Sequence, residues 1–203
     1  MDITAATHSD LDEAVHVLVA AFAEDPITGF LLQTGPNYPE RVTRFFSLLM
    51  RARITLEMPV VLARGPDGIK GAAMGYTTAR TTWPRDLSEE WNHFEKSTPG
   101  LADRIALYED VGAKFMPREP HYYLGVIGID PNMRGLGVGK QLLAAFCDLS
   151  ARDHLSIGVY LKTAQPSNVP FYERAGFTET GRGSLGNKPL WCMFLHHGSR
   201  NAA

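Results

Sequence analysis

Apolar positions recur along the chain with two periods, about 3.6 and about 2 residues, and the switches between them mark out the predicted elements. Residues 2–6 are short enough for an edge strand. Leu11, Val15, Leu18 and Phe22 then form a helical stripe, with Ser9 as the expected cap and Asp10, Asp12 and Glu13 in the first turn. Pro26 ends that helix after Glu24-Asp25, and residues 27–32 make a short apolar turn or helix before the break at Gly35-Pro36. Residues 38–56 read as a second long helix, with Val42, Phe45, Phe46, Leu49 and Ile54 on one side. The β-rich runs 59–63 and 69–78 flank Pro66-Asp67-Gly68 as a hairpin, where Gly71 and Gly75 leave room for another backbone or a ligand. Helical patterns return over 87–96 and 101–115, split by Thr98-Pro99-Gly100. The uncharged run Tyr122–Ile129 reads as a strand buried on both faces. Leu142, Leu143, Phe146 and Leu149 set the stripe of the next helix, and Ile157, Val159 and Leu161 alternate within a strand over 156–163. A short helix over 167–174 stops at Gly176, and strands 177–180 and 190–195 are joined by a glycine-rich loop over 181–187. This order predicts a mixed α+β sheet rather than a doubly wound one.

Between the strand and the helix lies Asp130-Pro131-Asn132-Met133-Arg134-Gly135-Leu136-Gly137-Val138-Gly139-Lys140. A helix N-terminus is partially positive and normally attracts acids, yet none occurs between Asp130 and Asp148, while Arg134 and Lys140 sit at that end. Bases on a positive helix end make sense if an anion completes the site, with glycines letting backbone N–H groups turn towards it. A glycine-rich loop with two solvated bases is the bland alternative, and the charge pattern alone leaves both standing. Spacing excludes two other phosphate sites. A Walker A loop needs glycine where Arg134 stands and a hydroxyl where Gln141 stands. A dinucleotide fingerprint needs its third glycine at Lys140.

Composition narrows the classes. The 203 residues are 44% hydrophobic and 21% charged, which suits one sizeable core and a single domain over 1–203. A net charge of −2 gives no footprint for nucleic acid or an anionic membrane. Cys147 and Cys192 fall in a helix and a strand that look buried, so neither a disulfide framework nor a metal site is expected. The N-terminus lacks a signal pattern and no run of about 18 apolar residues occurs, so a cytoplasmic location is expected. The aromatic residues Trp83, Trp91, Phe94, Tyr108 and Phe115 of the helical insert are explained by core packing or a subunit contact, such as a homodimer; the sharper alternative is the wall of an acceptor pocket.

Arg134-x-x-Gly137-x-Gly139 after a strand ending in Asp-Pro resembles the pyrophosphate loop of the GNAT superfamily of acetyl-CoA-dependent N-acetyltransferases. The later segment Asn168-Val169-Pro170-Phe171-Tyr172-Glu173-Arg174-Ala175-Gly176-Phe177 is similar to the family's helix that carries a tyrosine just before Gly-Phe. Within the superfamily, Ala20-Ala21-Phe22-Ala23, Arg118-Glu119-Pro120 and Trp191-Cys192-Met193 resemble puromycin N-acetyltransferase and its relatives, from which Lys162 and Asp25 depart on the acceptor side. The resemblance implies a GNAT fold: a mixed, mostly antiparallel sheet of about six to seven strands flanked by helices, with a helical insert before the central strand.

It also implies acetyl-CoA as cosubstrate, with no metal, and a primary amine of a small molecule as acceptor. Ile127, Gly128 and Ile129 would hold the pantetheine arm, and Arg134, Gly135, Leu136, Gly137, Val138, Gly139 and Lys140 the pyrophosphate. Asn168 would contact the coenzyme, although the family more often places its asparagine where this chain has Gln165. Tyr172 would be the general acid, since a phenol of pKa about 10 stays protonated at neutral pH. For the general base, His121, Asp25 and water compete. Acetylation of a protein or peptide, and a non-catalytic acyl-CoA sensor, are the alternative functions; retention of Tyr172 speaks against the sensor.

Overall fold

The computed structural model describes residues 1–79 and 81–198. Strand β1 (Asp2–Ala5) leads through a 3₁₀ turn to helices α1 (Leu11–Ala21), α2 (Pro26–Leu32) and α3 (Tyr38–Thr55). The hairpin β2 (Val60–Gly65) and β3 (Gly68–Tyr76) follows, then the insert of α4 (Arg85–Ser97) and α5 (Leu101–Ala113). Next come β4 (Tyr122–Ile129), α6 (Val138–Arg152), β5 (Gly158–Thr163), α7 (Val169–Arg174), β6 (Thr178–Leu185) and β7 (Lys188–His196). The strands form one open sheet in the order β1-β2-β3-β4-β5-β7-β6. Among the described residues the one parallel pair is β4 with β5, for which α6 supplies the crossover that a parallel connection needs.

Period-2 alternation divides the core into two layers. Val60 and Leu62 point to the face covered by α1 and α3, where Leu18 and Phe46 are sealed; Val61 and Ala63 point to the other face, under Leu142 and Phe146 of α6. Strand β4 departs from its expected burial on both faces. Against β3, Leu124 pairs with Gly75 and Val126 with Met74, so Gly125 is an extra, bulged residue. The bulge exchanges the faces: Tyr122 and Leu124 pack towards α6, Val126 towards α1 and α3, and Ile127 and Ile129 towards α6 again. Tyr123, Gly125, Ile127 and Ile129 are consequently only half-buried. Pairing between β4 and β5 stops at Leu124 and Leu161, and from Gly125 onward the two strands part.

Other expectations shift locally. Thr7 and Asp10 take the capping role expected of Ser9: the Asp10 carboxylate accepts the Thr7 N–H at 2.8 Å and its hydroxyl at 2.9 Å. Leu149 lies at the margin of the buried stripe and is 37% exposed, while Cys147 and Ser150 occupy the centre. Strand β5 begins at Gly158, leaving Ile157 outside it. The glycine-rich loop expected over 181–187 is strand up to Leu185. A Cβ at Gly181 would lie 2.0 Å from Phe115 and one at Gly183 2.2 Å from Val111, so those glycines let the sheet pack against α5 and the segment after it. Gly71 and Gly75 admit backbone rather than ligand: a Cβ at Gly75 would stand 1.9 Å from the Tyr123 carbonyl oxygen.

Candidate functional site

The parting of β4 from β5 opens a cleft of about 980 Å³, bounded by the end of α1, the far half of β4, the glycine turn and α7. Ile127, Gly128 and Ile129 line it. One edge of this segment is satisfied by β3, through Ala73, Ala72 and Gly71; the other, having lost β5, is turned to the cleft. At Gly128 a Cβ would meet Phe22 at 2.7 Å and Leu18 at 2.9 Å, so the missing side chain is what lets α1 press onto the strand.

The turn that follows is held open from within. The Asp130 carboxylate accepts the Asn132 N–H at 2.9 Å, starting a 3₁₀ turn over Pro131–Met133. Gly135 and Gly137 both have φ of +79°, and Gly137 caps α6 in a left-handed conformation. A Cβ at either would meet nothing within 4 Å, so glycine is required by the backbone angle and not by crowding. The first turn of α6 carries no acid, and Arg134, Gly135, Gly137, Val138, Gly139 and Lys140 all line the cleft. Aligned helix N–H groups, two bases and open space at positive-φ glycines make a site suited to a phosphate or pyrophosphate. Leu136 departs from expectation. It is 64% exposed, lies outside the lining, and its N–H is committed to the Met133 carbonyl at 3.3 Å.

A second cavity of about 270 Å³ lies beyond, and Phe22, Asp25, Ile127, Asn168 and Tyr172 line both spaces. Tyr172 is 5% exposed, its ring set against Phe171 at 5.2 Å and Phe177 at 5.8 Å. Its backbone oxygen accepts the N–H groups of Ala175 and Phe177, which closes α7 before Gly176 at φ +91°. Burial pushes the phenol well above its ordinary value, and the charge of Asp25 pushes it further. Asp25 caps α2 by accepting the Thr28 N–H at 2.7 Å and its hydroxyl at 2.8 Å. Burial raises its carboxyl above its ordinary value, an effect that the two Thr28 bonds oppose. Gln165 and Ser167 line the cleft beside Asn168.

The insert supplies much of the second cavity. Trp83, Trp91 and Tyr108 wall it, whereas Phe94 is sealed in the core and Phe115 packs on the glycines of β6, so the aromatic stripe serves both purposes. Lys162 also lines it. Its Nζ is 3.1 Å from Glu109 and 3.6 Å from the centre of the Tyr108 ring. His121 belongs to neither space. It precedes β4 at the end away from the cleft, with Nδ1 2.7 Å from the Glu119 carbonyl and its ring edge-on to Tyr160 and Phe194. That placement removes it as a candidate base. Phe22 and Phe171 escape sequence reasoning because each sits in an apolar pattern that core packing explains equally well.

Residues 102–179 match the family model of the acetyltransferase (GNAT) domain. A structure described as histone acetyltransferase HPA2 and related acetyltransferase from Corynebacterium glutamicum is 24% identical, with a TM-score of 0.70 over 95% of this chain and 93% of that one. Arylalkylamine N-acetyltransferase 2 from Aedes aegypti is 15% identical, with a TM-score of 0.69 over 96% and 98%. Ribosomal-protein-alanine N-acetyltransferase from Brucella melitensis is 16% identical, with a TM-score of 0.60 over 97% and 99%. The fold is therefore the GNAT fold. Among the described residues no group of three or more His, Cys, Asp or Glu is arranged to hold a metal ion.

Proposed function

We propose that this chain, built on the GNAT fold and carrying a GNAT domain match, is an N-acetyltransferase that moves an acetyl group from acetyl-CoA to a primary amine of a small molecule in a ternary complex. The observation that carries this reading is the meeting of the phosphate-type cleft and a second cavity at Asp25 and Tyr172. One space suits a donor and the other an acceptor, with an acid and a base candidate where they join.

Acetyl-CoA supplies the thioester. The α6 N-terminus with Arg134 and Lys140 holds the pyrophosphate, the open edge of Ile127, Gly128 and Ile129 holds the pantetheine arm, and Asn168 holds the coenzyme near the junction. The amine nitrogen bonds to the acyl carbon as the carbon–sulfur bond breaks; Asp25 takes the amine proton, and Tyr172 donates its own to the departing sulfur. A phenol raised by burial is a weak acid towards a thiol of pKa about 8.5. The same carboxylate helps to raise it, so protonation of Asp25 removes a charge that holds the Tyr172 proton in place. The base step thereby strengthens the acid when it is needed.

The small second cavity, rich in aromatic side chains, favours a small acceptor over a protein segment in an open acidic groove. The relatives on this fold are named for histone, ribosomal-protein and arylalkylamine acceptors, so the fold does not choose among them. Release of CoA thiol with a panel of small amines and short peptides tests the proposal. Turnover of a small amine is expected. Thermal stabilisation by acetyl-CoA without turnover of any amine would point instead to an acyl-CoA sensor.

A further inference from the structure

The second cavity carries more than the presence of an acceptor. Its space of about 270 Å³ is small beside the donor cleft of about 980 Å³, which favours a body of one or two rings over a chain of sugar rings. Its outer wall is aromatic and continuous. Trp83 stands edge-on to Trp91 at 5.5 Å, Trp91 is 6.0 Å from Phe45, and Phe45 is 5.4 Å from Phe46, which in turn meets Phe22 at 5.0 Å. Trp83 and Trp91 are half-buried although both line the cavity, so their rings present apolar surface to it.

The charged groups of the lining have partners within the protein. The formal charges cancel, with Asp25 and Glu109 against Arg53 and Lys162. Lys162 is held by Glu109 and by the Tyr108 ring, and the Tyr108 and Tyr123 hydroxyls lie 3.0 Å apart. Arg53 donates to the Leu49 carbonyl at 2.8 Å and stacks over Tyr76 at 4.5 Å. A second ammonium or a carboxylate on the acceptor would have to compete with these pairings, and the buried Lys162 side chain makes displacing its partner costly. An uncharged flat body gains dispersion and ring contacts without breaking any. Of the two acids in the lining, Asp25 alone also lines the donor cleft, which positions it for a single amine.

We propose that the acceptor is a monoamine whose amino group is joined by a short apolar linker to a one- or two-ring aromatic body. The body packs against Trp83, Trp91 and Phe45 while the amine reaches Asp25 and Tyr172. This rests on the acetyl-transfer reading above and adds to it the class of acceptor and the residues that select it.

The test compares kcat/KM for phenethylamine and tryptamine with that for hexylamine, spermidine, kanamycin and a short peptide, all with acetyl-CoA and the full-length chain. The aromatic amines are expected to exceed hexylamine by about tenfold, the scale of ring contacts, and the polycations by more. Trp91→Leu should raise KM for the aromatic amines by about tenfold while kcat and the KM for acetyl-CoA stay within about twofold. Trp83→Leu, on a different element, should act in the same direction and serves if the Trp91 variant fails to fold. A preference for hexylamine, spermidine, kanamycin or the peptide would overturn the acceptor class and leave acetyl transfer standing. Unchanged aromatic-amine KM in both folded tryptophan variants would overturn the assigned wall. No turnover of any acceptor, with acetyl-CoA still raising the melting temperature, would overturn both readings.

Discussion

The two spaces that meet at Tyr172 are built by different means. The donor cleft is made largely of main chain: the unpaired edge of β4, two positive-φ glycines and the N-terminus of α6. The second cavity is made largely of side chains drawn from α2 to α5, α7, β3, β4 and β5, with Phe22 at the end of α1. Main-chain recognition asks for an angle or for room, and tolerates many side chains. Side-chain recognition asks for particular residues that the chain brings together only by folding. On our reading one fold can therefore keep its donor while its acceptor changes, and the two halves respond to mutation in different ways.

The largest effect is expected where the halves join. Tyr172→Phe removes the hydroxyl and keeps the ring between Phe171 and Phe177. Turnover should fall by about 10²- to 10⁴-fold with the KM for acetyl-CoA nearly unchanged. Wild-type turnover in steady-state assays of this variant would separate the hydroxyl from the chemistry. Because burial raises the phenol, Tyr172 stays protonated above pH 10, and the alkaline limb of the rate profile should persist in a form that Tyr172 does not set.

Asp25→Asn should cost about 10²-fold in turnover, since asparagine also caps a helix and α2 is kept. The acid limb of the wild-type profile should lie above the value of a free aspartate and disappear in the variant. Stability should move the other way. A carboxyl whose folded pKa is raised favours the native state below its unfolded pKa, and that contribution is lost as pH rises through the folded value. Above the folded value the wild type has lost that contribution. The variant should melt no lower than wild type by calorimetry, and a marked fall in melting temperature would make Asp25 a structural cap first.

The same division explains what could be read from the sequence. The donor half is local: Arg134 to Lys140 and Asn168 to Phe177 are short runs, and α6 announces itself by the missing acids of its first turn. Spacing there constrains geometry directly. The bulge at Gly125 gave no comparable signal, because a glycine in a strand suits a bulge or close packing equally. The acceptor half was visible only as ambiguity. Trp83, Trp91 and Phe94 form one apolar pattern, yet two of them line the cavity and the third is core, a difference set by α3 and β4 far away in sequence. His121 had the right intrinsic chemistry for a base and the wrong end of its strand.

Gly137→Ala tests the main-chain character of the donor half. At φ +79° a Cβ meets no neighbour, so the cost is conformational, about 1–2 kcal/mol. If the glycine's angle is what aims the turn at the ligand, KM for acetyl-CoA should rise by about tenfold with little change in kcat. Arg134→Gln should be milder, about three- to fivefold in the same KM, because Arg134 is exposed and screened. That increment should shrink as salt is raised in the assay. A salt-independent increment would mean that the guanidinium acts by shape.

The smallest expected effect is at Leu136, which sits inside the motif and outside the cleft. Its side chain points to solvent and its N–H already serves the Met133 carbonyl. Leu136→Ser replaces an exposed apolar group with a polar one and leaves the φ of both neighbouring glycines untouched. KM for acetyl-CoA and for the amine should stay within about twofold, as for other surface substitutions. A several-fold rise in the acetyl-CoA KM would show that the side chain covers the bound coenzyme. The donor half would then depend on an apolar side chain as well as on its bases, and its contrast with the acceptor half would narrow to a difference of degree.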